Sequence, residues 1–249
     1  MQWLEKSLGI DLNINMKFKE LLFKNFLTYY LYKKLKIFRN SSKNEHLGEF
    51  GEDIFIRRFF KNDAKGFYVD IGCYHPIKGS LTYYLHKKGW NGLNVDLSKV
   101  SIDLFKLARP KDFNINAAVT DFNGETVYYE NGKINQQNSL VEDISKKQVT
   151  IQAYRLNDLL EKFNITNIDF LNIDVEGNDF KVISTFNFSK FKPKLISIEQ
   201  NIYNLEIITN SECHKLLLKN NYFLTSKIGV TCIYINKEYE KFFEKIMSI

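Results

Sequence analysis

The amino-acid sequence predicts an α/β fold: a doubly wound, mostly parallel sheet that ends in an antiparallel hairpin and is preceded by a helical extension. Three observations predict it. Between Gly66 and Glu199, short runs of β-formers alternate with stretches of helical periodicity, the pattern of parallel strands joined by crossover helices. Acids stand where the apolar runs end, at Asp70, Asp96, Asp174, Glu176 and Glu199, and a doubly wound sheet gathers its functional groups at the carboxyl ends of its strands. The final β-runs, Tyr222–Ser226 and Thr231–Asn236, follow one another with only a turn between them, as a hairpin does.

Taken in order, residues 1–44 stand apart as a basic helical extension and linker, and residues 45–249 form the principal domain. From Phe18 to Phe38, Leu21, Leu22, Phe26, Leu27, Tyr30, Leu31 and Leu35 recur at near-helical spacing among Lys17, Lys19, Lys24, Lys33, Lys34, Lys36 and Arg39. Such a helix, here residues 17–39, lies on an anionic membrane surface or packs on a partner. The alternative is a lid or homodimer helix whose apolar face covers its own domain while its lysines are solvated. The spread of the aromatics beyond a narrow stripe favours that alternative. Asn40–Asn44 reads as a polar linker.

Gly48-Glu-Phe-Gly-Glu-Asp53 leads into a helix bearing Ile54, Phe55, Phe59 and Phe60, with acids in its first turn. A strand through Phe67–Ile71 breaks at Gly72, and Ser80–Lys88 forms the first crossover helix, closed by Gly89. Leu93–Asp96 is the second strand, Val100–Ala108 a helix stopped by Pro110, and Phe113–Val119 the third strand. Thr126–Glu130 follows the Asn123-Gly124 turn as a strand. Between Asn131 and Lys147, Gln136, Gln137, Asn138 and Ser139 mark a polar loop over the site. Val149–Arg155 is a further strand, Leu156–Phe163 a helix, Ile168–Val175 a strand, Phe180–Phe186 a helix, Leu195–Glu199 a strand, and 211–221 a helix.

At 249 residues, 44% hydrophobic and 15% aromatic, the chain can bury a sizeable core. Its formal charge of +6 is modest, which permits an acidic or phosphorylated partner and does not demand nucleic acid. Cys73, Cys213 and Cys232 are odd in number and lack C-x-x-C spacing, as in a reducing compartment and unlike a disulfide framework or zinc knuckle. No run approaches the roughly 18 apolar residues of a membrane span, and the N-terminus lacks the layout of a signal peptide. The expected location is cytoplasmic.

The chemistry centres on Gly66-Phe-Tyr-Val-Asp-Ile-Gly-Cys-Tyr-His-Pro76. Gly72 lets the backbone approach a ligand closely, and Asp70 sets a carboxylate at the strand's end. Trp90-Asn-Gly-Leu-Asn-Val-Asp96 ends on an acid placed to accept hydrogen bonds from both hydroxyls of a ribose. The second Gly-x-x-Gly half of a dinucleotide fingerprint is absent, so the pattern suits a ligand with adenosine and no phosphates. S-adenosylmethionine is one. Asn116-Ala-Ala118 offers small residues to flank a flat ring.

Asn172-Ile-Asp174-Val-Glu176-Gly177 presents two carboxylates, which share a face if the strand runs through both. Paired carboxylates make a better base for an alcohol than a free one near pKa ~4. They are equally the donor set of a divalent metal that acidifies a hydroxyl. If the strand stops at Val175, Glu176 caps the next helix instead. His75 is the other base candidate, the alternative being that it shapes the turn before Pro76. His46, His86 and His214 have no evident partners in the sequence.

These residues resemble the FkbM family of S-adenosylmethionine-dependent methyltransferases, from about Gly48 to Gln200. The resemblance rests on Phe67–Pro76 with Ser80-Leu-Thr82, on Lys88–Asp96, on Asn116–Asp121 and on Gly51-Glu-Asp53. Its most specific part is Ile168–Gly177 followed by Ile196-Ser-Ile-Glu199. The resemblance implies a Rossmann-like class I methyltransferase fold, with S-adenosylmethionine as cofactor and hydroxyls of sugars, polyketides or related compounds as acceptors. Position by position, Asp70 and Gly72, with Cys73 and Tyr74 in the same loop, would frame the methionine moiety. Asp96 would hold the ribose, and Ala118 and its neighbours would flank the adenine. Asp174, Glu176 and Glu199 would face the acceptor, and Thr82 and Ser139 would add polar contacts. Cys73-Tyr-His-Pro76 departs from the more open loop of many members, so the substrate side near His75 differs.

The expected function is O-methylation of a sugar hydroxyl, on a nucleotide-activated sugar or a surface polysaccharide precursor, with Asp174, Glu176 and His75 as the catalytic set. N-methylation of an amino sugar or amide, and a silent cofactor-binding module, are the alternatives.

Overall fold

The computed structural model describes residues 26–40, 48–130 and 138–248. The expected helical positions 17–25, the linker at 41–44, His46, Gln136 and Gln137 lie outside the described residues. The chain divides into two units that part between Ser42 and Lys43.

In the first unit, α1 spans Phe26–Asn40. It contains no glycine or proline, and aromatic–lysine pairs one turn apart brace it: Lys33 Nζ lies 4.7 Å from the Tyr29 ring centroid and Lys34 Nζ 5.6 Å from that of Tyr30.

The second unit is built on a seven-stranded sheet. Its strands are β1 (Phe67–Ile71), β2 (Asn91–Asp96), β3 (Phe113–Asn116), β7 (Phe170–Ile173), β8 (Leu195–Glu199), β9 (Tyr222–Ile228) and β10 (Thr231–Asn236). They lie in the order β3-β2-β1-β7-β8-β10-β9. The first five are parallel, and β10 inserts antiparallel between β8 and β9. This is the Rossmann-like α/β architecture expected, with the antiparallel hairpin at one edge.

Period-two alternation builds a layer on each face. Val69, Ile71, Leu171, Ile173, Ile196 and Ile198 face one core, with α5 (Leu156–Lys162), α6 (Asp179–Ser184) and α8 (Glu212–Lys219). Tyr68, Phe170, Leu195, Ile233 and Ile235 face the other, with α2 (Glu52–Phe59), α3 (Tyr83–Lys87) and partly buried side chains of α9 (Glu240–Met247). The remaining helices are α4 (Lys99–Ala108) and α7 (Leu205–Asn210). Neither α7 nor α9 is anticipated by the sequence.

The third strand does not run through to Val119. Asn116 Nδ2 donates to the carbonyls of Asp96 (3.0 Å) and Leu97 (2.7 Å), and Ala117 N donates to Asp96 O (3.2 Å), which ends the ladder with β2. The chain then crosses to a second, three-stranded sheet. There β4 (Ala118–Thr120) pairs parallel to β6 (Lys147–Arg155), which pairs antiparallel to β5 (Gly124–Glu130).

Candidate active site

The sheet order reverses between β1 and β7, the switch point at which an open α/β sheet leaves a crevice beyond its strand ends. A cavity of about 250 Å³ lies there. The ends of β1, β2, β7 and β8 line it, joined by Glu49, by Asn138 and Leu140, and by Val230 in the β9–β10 turn.

Gly72 leaves β1 with φ +83°, and a Cβ there would fall 1.6 Å from the carbonyl oxygen of Asp174. The close approach that requires glycine is therefore to the chain itself, at the loop after β7. Beyond Gly72, Tyr74 takes φ +50° and donates its amide to Asp96 Oδ2 (2.8 Å), while Ser98 N donates to Asp96 Oδ1 (2.7 Å). Burial raises Asp96 to about 6, the two amides opposing it. Each Asp96 oxygen accepts one amide, and a carboxylate has roughly four lone-pair sites, so capacity for two hydroxyls remains. Cys73 lines the cavity and is buried against Ile102 and Phe105, its thiol pushed well up by burial.

Asp70 is buried and already engaged. Thr82 Oγ1 donates to its Oδ2 (2.7 Å) and Asn172 Nδ2 to its Oδ1 (2.9 Å). Asn172 in turn accepts from Ser197 Oγ (2.6 Å), so one polar line crosses β1, β7 and β8. Behind it, fully buried Arg109 donates to Thr82 Oγ1 (2.8 Å), Ser80 Oγ (2.9 Å) and Pro76 O (2.6 Å). Thr82 thus braces Asp70 and does not line the cavity. Nor does Ala118, which packs with Tyr128, Ile151 and Ala153 in the second sheet. Its neighbours Ala117 and Val119 do, because side chains alternate across the strand, and with Leu97 and Leu140 they give the cavity an apolar lining.

On the other side, β7 stops at Ile173, so Asp174 and Glu176 stand in a loop and not on one strand face. Asp174 hydrogen-bonds through its side chain to Glu199, at the end of β8. Asp174 lines the cavity and is exposed there. Lost hydration there, with Glu199, Asp179, Glu176 and Asp70 close by, raises its carboxyl well above the ordinary range. Burial, with Asp179 and Glu176, pushes Glu199 up to about 7, against the pull of Lys227 and of the bond from Asp174. A carboxyl pair so placed shares a proton.

Glu176 lines the cavity at φ +54°, its pKa raised by burial and by Asp179 and Glu49. Ser139 lies outside the cavity lining. Its hydroxyl donates to Glu176 O (2.7 Å) and accepts from Val141 N (3.0 Å), so it fixes the loop. His75 is also outside it: its Nδ1 accepts from the amides of Ile77 and Lys78, both at 3.1 Å. That geometry makes it the turn-former and takes it out of the catalytic set.

A family model for the methyltransferase FkbM domain matches residues 70–223, more than half of the chain. The chain belongs to the FkbM methyltransferase family. No curated protein matches it. Every lining residue of the cavity except Glu49 and Val230 falls within the matched span, so the crevice of this FkbM methyltransferase is a property of the family's own segment.

Sequence reasoning missed three residues that brace the loops around the cavity of this FkbM methyltransferase. Asp179 accepts from Val175 N (3.0 Å) and Gly177 N (3.1 Å), and burial raises it to about 6. An acid in the first helical turn after a glycine is the signal for it. Asn172 is found by register, since it pairs with Asp70 across the sheet. Arg109 carries no signal in the sequence beyond ending a helix before Pro110. Among the described residues, no group of three or more His, Cys, Asp or Glu side chains is arranged to hold a metal ion.

Proposed function

We propose that this FkbM methyltransferase moves a methyl group from S-adenosylmethionine to a hydroxyl of a sugar, carried on a nucleotide or a polysaccharide precursor. The observation that carries this reading is the Asp174–Glu199 carboxyl pair, open to the cavity beside the glycine turn. S-adenosylmethionine supplies, when bound, a methyl group on a sulfonium sulfur that departs as a thioether. Asp96 would hold the ribose hydroxyls, the Gly72–Tyr74 turn the methionine end, and Leu97, Ala117, Val119 and Leu140 the adenine. On the acceptor side, Glu49, Asn138 and Glu176 give a polyhydroxyl compound several partners.

A hydroxyl that gains a methyl group loses its proton, and a base with a pKa near the working pH takes it best. Glu199, raised to about 7, is such a base, and Asp174 holds the shared proton and orients it. The acceptor's proton passes to the pair as the carbon–oxygen bond forms. The donor set among the described residues does not fit a metal ion.

Calorimetric titration with S-adenosylhomocysteine, with and without Mg²⁺ and a chelator, tests the cofactor. Micromolar binding is expected, and no binding in any condition would overturn the reading. Asp174→Asn should bind S-adenosylhomocysteine as the parent does while losing turnover by on the order of 10²–10⁴. An unaltered rate would remove the pair from the chemistry.

A further inference from the structure

Charge in this chain is segregated. Residues 1–40 hold eight basic and three acidic side chains, net +5, whereas the remainder holds 27 and 26, net +1. Within α1 the charged residues Lys33, Lys34, Lys36 and Arg39 are all basic. Leu27, Leu31 and Leu35 recur every fourth residue along one stripe, 62%, 51% and 56% exposed, and Phe26 at the helix start is 82% exposed. Large apolar side chains exposed in a row mark an interaction surface. Lys33 and Lys34 lie over the rings of Tyr29 and Tyr30, an arrangement of cations and amphipathic aromatics suited to a boundary between water and an apolar phase.

We propose that α1 seats this protein on an anionic lipid surface. Apart from the protein's own domain, two occupants compete for the stripe. A second copy packed in parallel would bring Lys33 and Lys34 towards the same residues of its twin, and in either direction neither helix carries an acid to answer them. An anionic bilayer accepts the leucines and Phe26 at its acyl boundary and meets the basic residues with lipid phosphates. Charge complementarity selects the bilayer. No helix among the described residues is long and apolar enough to cross a membrane, so the contact is peripheral.

The full chain is to be co-sedimented with phosphatidylcholine vesicles, with and without phosphatidylglycerol. Binding at least ~10-fold tighter to the anionic vesicles is expected, falling away in high salt. The double variant Leu31→Ser, Leu35→Ser should weaken it ~10-fold and leave S-adenosylhomocysteine binding unchanged. Equal affinity for both vesicles, or no effect of the double variant, would overturn the proposal. So would a double variant that turns a dimer into a monomer on sizing, which would give the stripe to a second copy. A lowered melting temperature would give it to the protein's own domain and would overturn the proposal equally.

Discussion

At the scale of single residues, the site turns on the contact between Gly72 and the Asp174 carbonyl. The glycine was legible in the sequence, as was the acid, but not that each is the other's neighbour. Periodicity reports which face a residue takes and is silent on which loop lies against it. Gly72→Ala would force a Cβ to within 1.6 Å of that oxygen at φ +83°, so the two loops must part. The expected loss is at least about 3 kcal/mol of unfolding free energy in a denaturant titration. A loss below about 1 kcal/mol would mean that the turn relaxes freely. His75 shows the limit in the other direction. A histidine in a ligand loop reads as a base, yet the same imidazole nitrogen that would take a proton serves two backbone amides as an acceptor.

At the scale of elements, strand ends decided what the sequence could and could not reveal. Leu195–Glu199 begins and ends where its apolar run does. The run ending at Val175 overreached, since β7 stops at Ile173 and hands Asp174 to a loop. Of Ala118 and its neighbours, Ala117 and Val119 line the cavity and Ala118 does not, because the third strand changes sheets at Ala117, a break made by the Asn116 side chain and invisible to a hydrophobic pattern. The loop after β7 is held by Asp179, which ties the amides of Val175 and Gly177 to α6. Asp179→Ala should release it, lowering kcat on the order of 10-fold or more with S-adenosylhomocysteine affinity nearly intact. Asp179→Asn, whose one carbonyl oxygen can still accept, should recover part of the rate. Equal loss in both variants would point to the charge of Asp179 and away from its grip on the loop.

At the scale of the whole molecule, the carboxyl groups around the cavity set how stability follows pH. Glu199 is raised to about 7, and Asp96 and Asp179 to about 6, all by burial first, against roughly 4 in an unfolded chain. The folded state therefore binds these protons more tightly. Their contribution to stability is full below about pH 4 and is lost as pH rises through 6 to 7. Glu199→Gln removes one such cost, so its melting temperature should gain on the parent more at pH 8 than at pH 5. An equal shift at both values would show that Glu199 ionises freely. The fold class was legible because alternation of strands and helices is local. The place of β10 was not, because nothing in a β-run says which edge it will join.

That place has a temporal consequence. β10 is made after β9 yet lies inside it, against β8, and Val230 of the turn between them lines the cavity. A nascent chain that has emerged only as far as Gly229 holds Asp70, Asp96, Asp174 and Glu199 while the flank of β8 still lacks its neighbour. The cavity is thus closed on that side only once β10 has emerged, and a chain not yet synthesised past Gly229 carries the chemistry's residues without that wall.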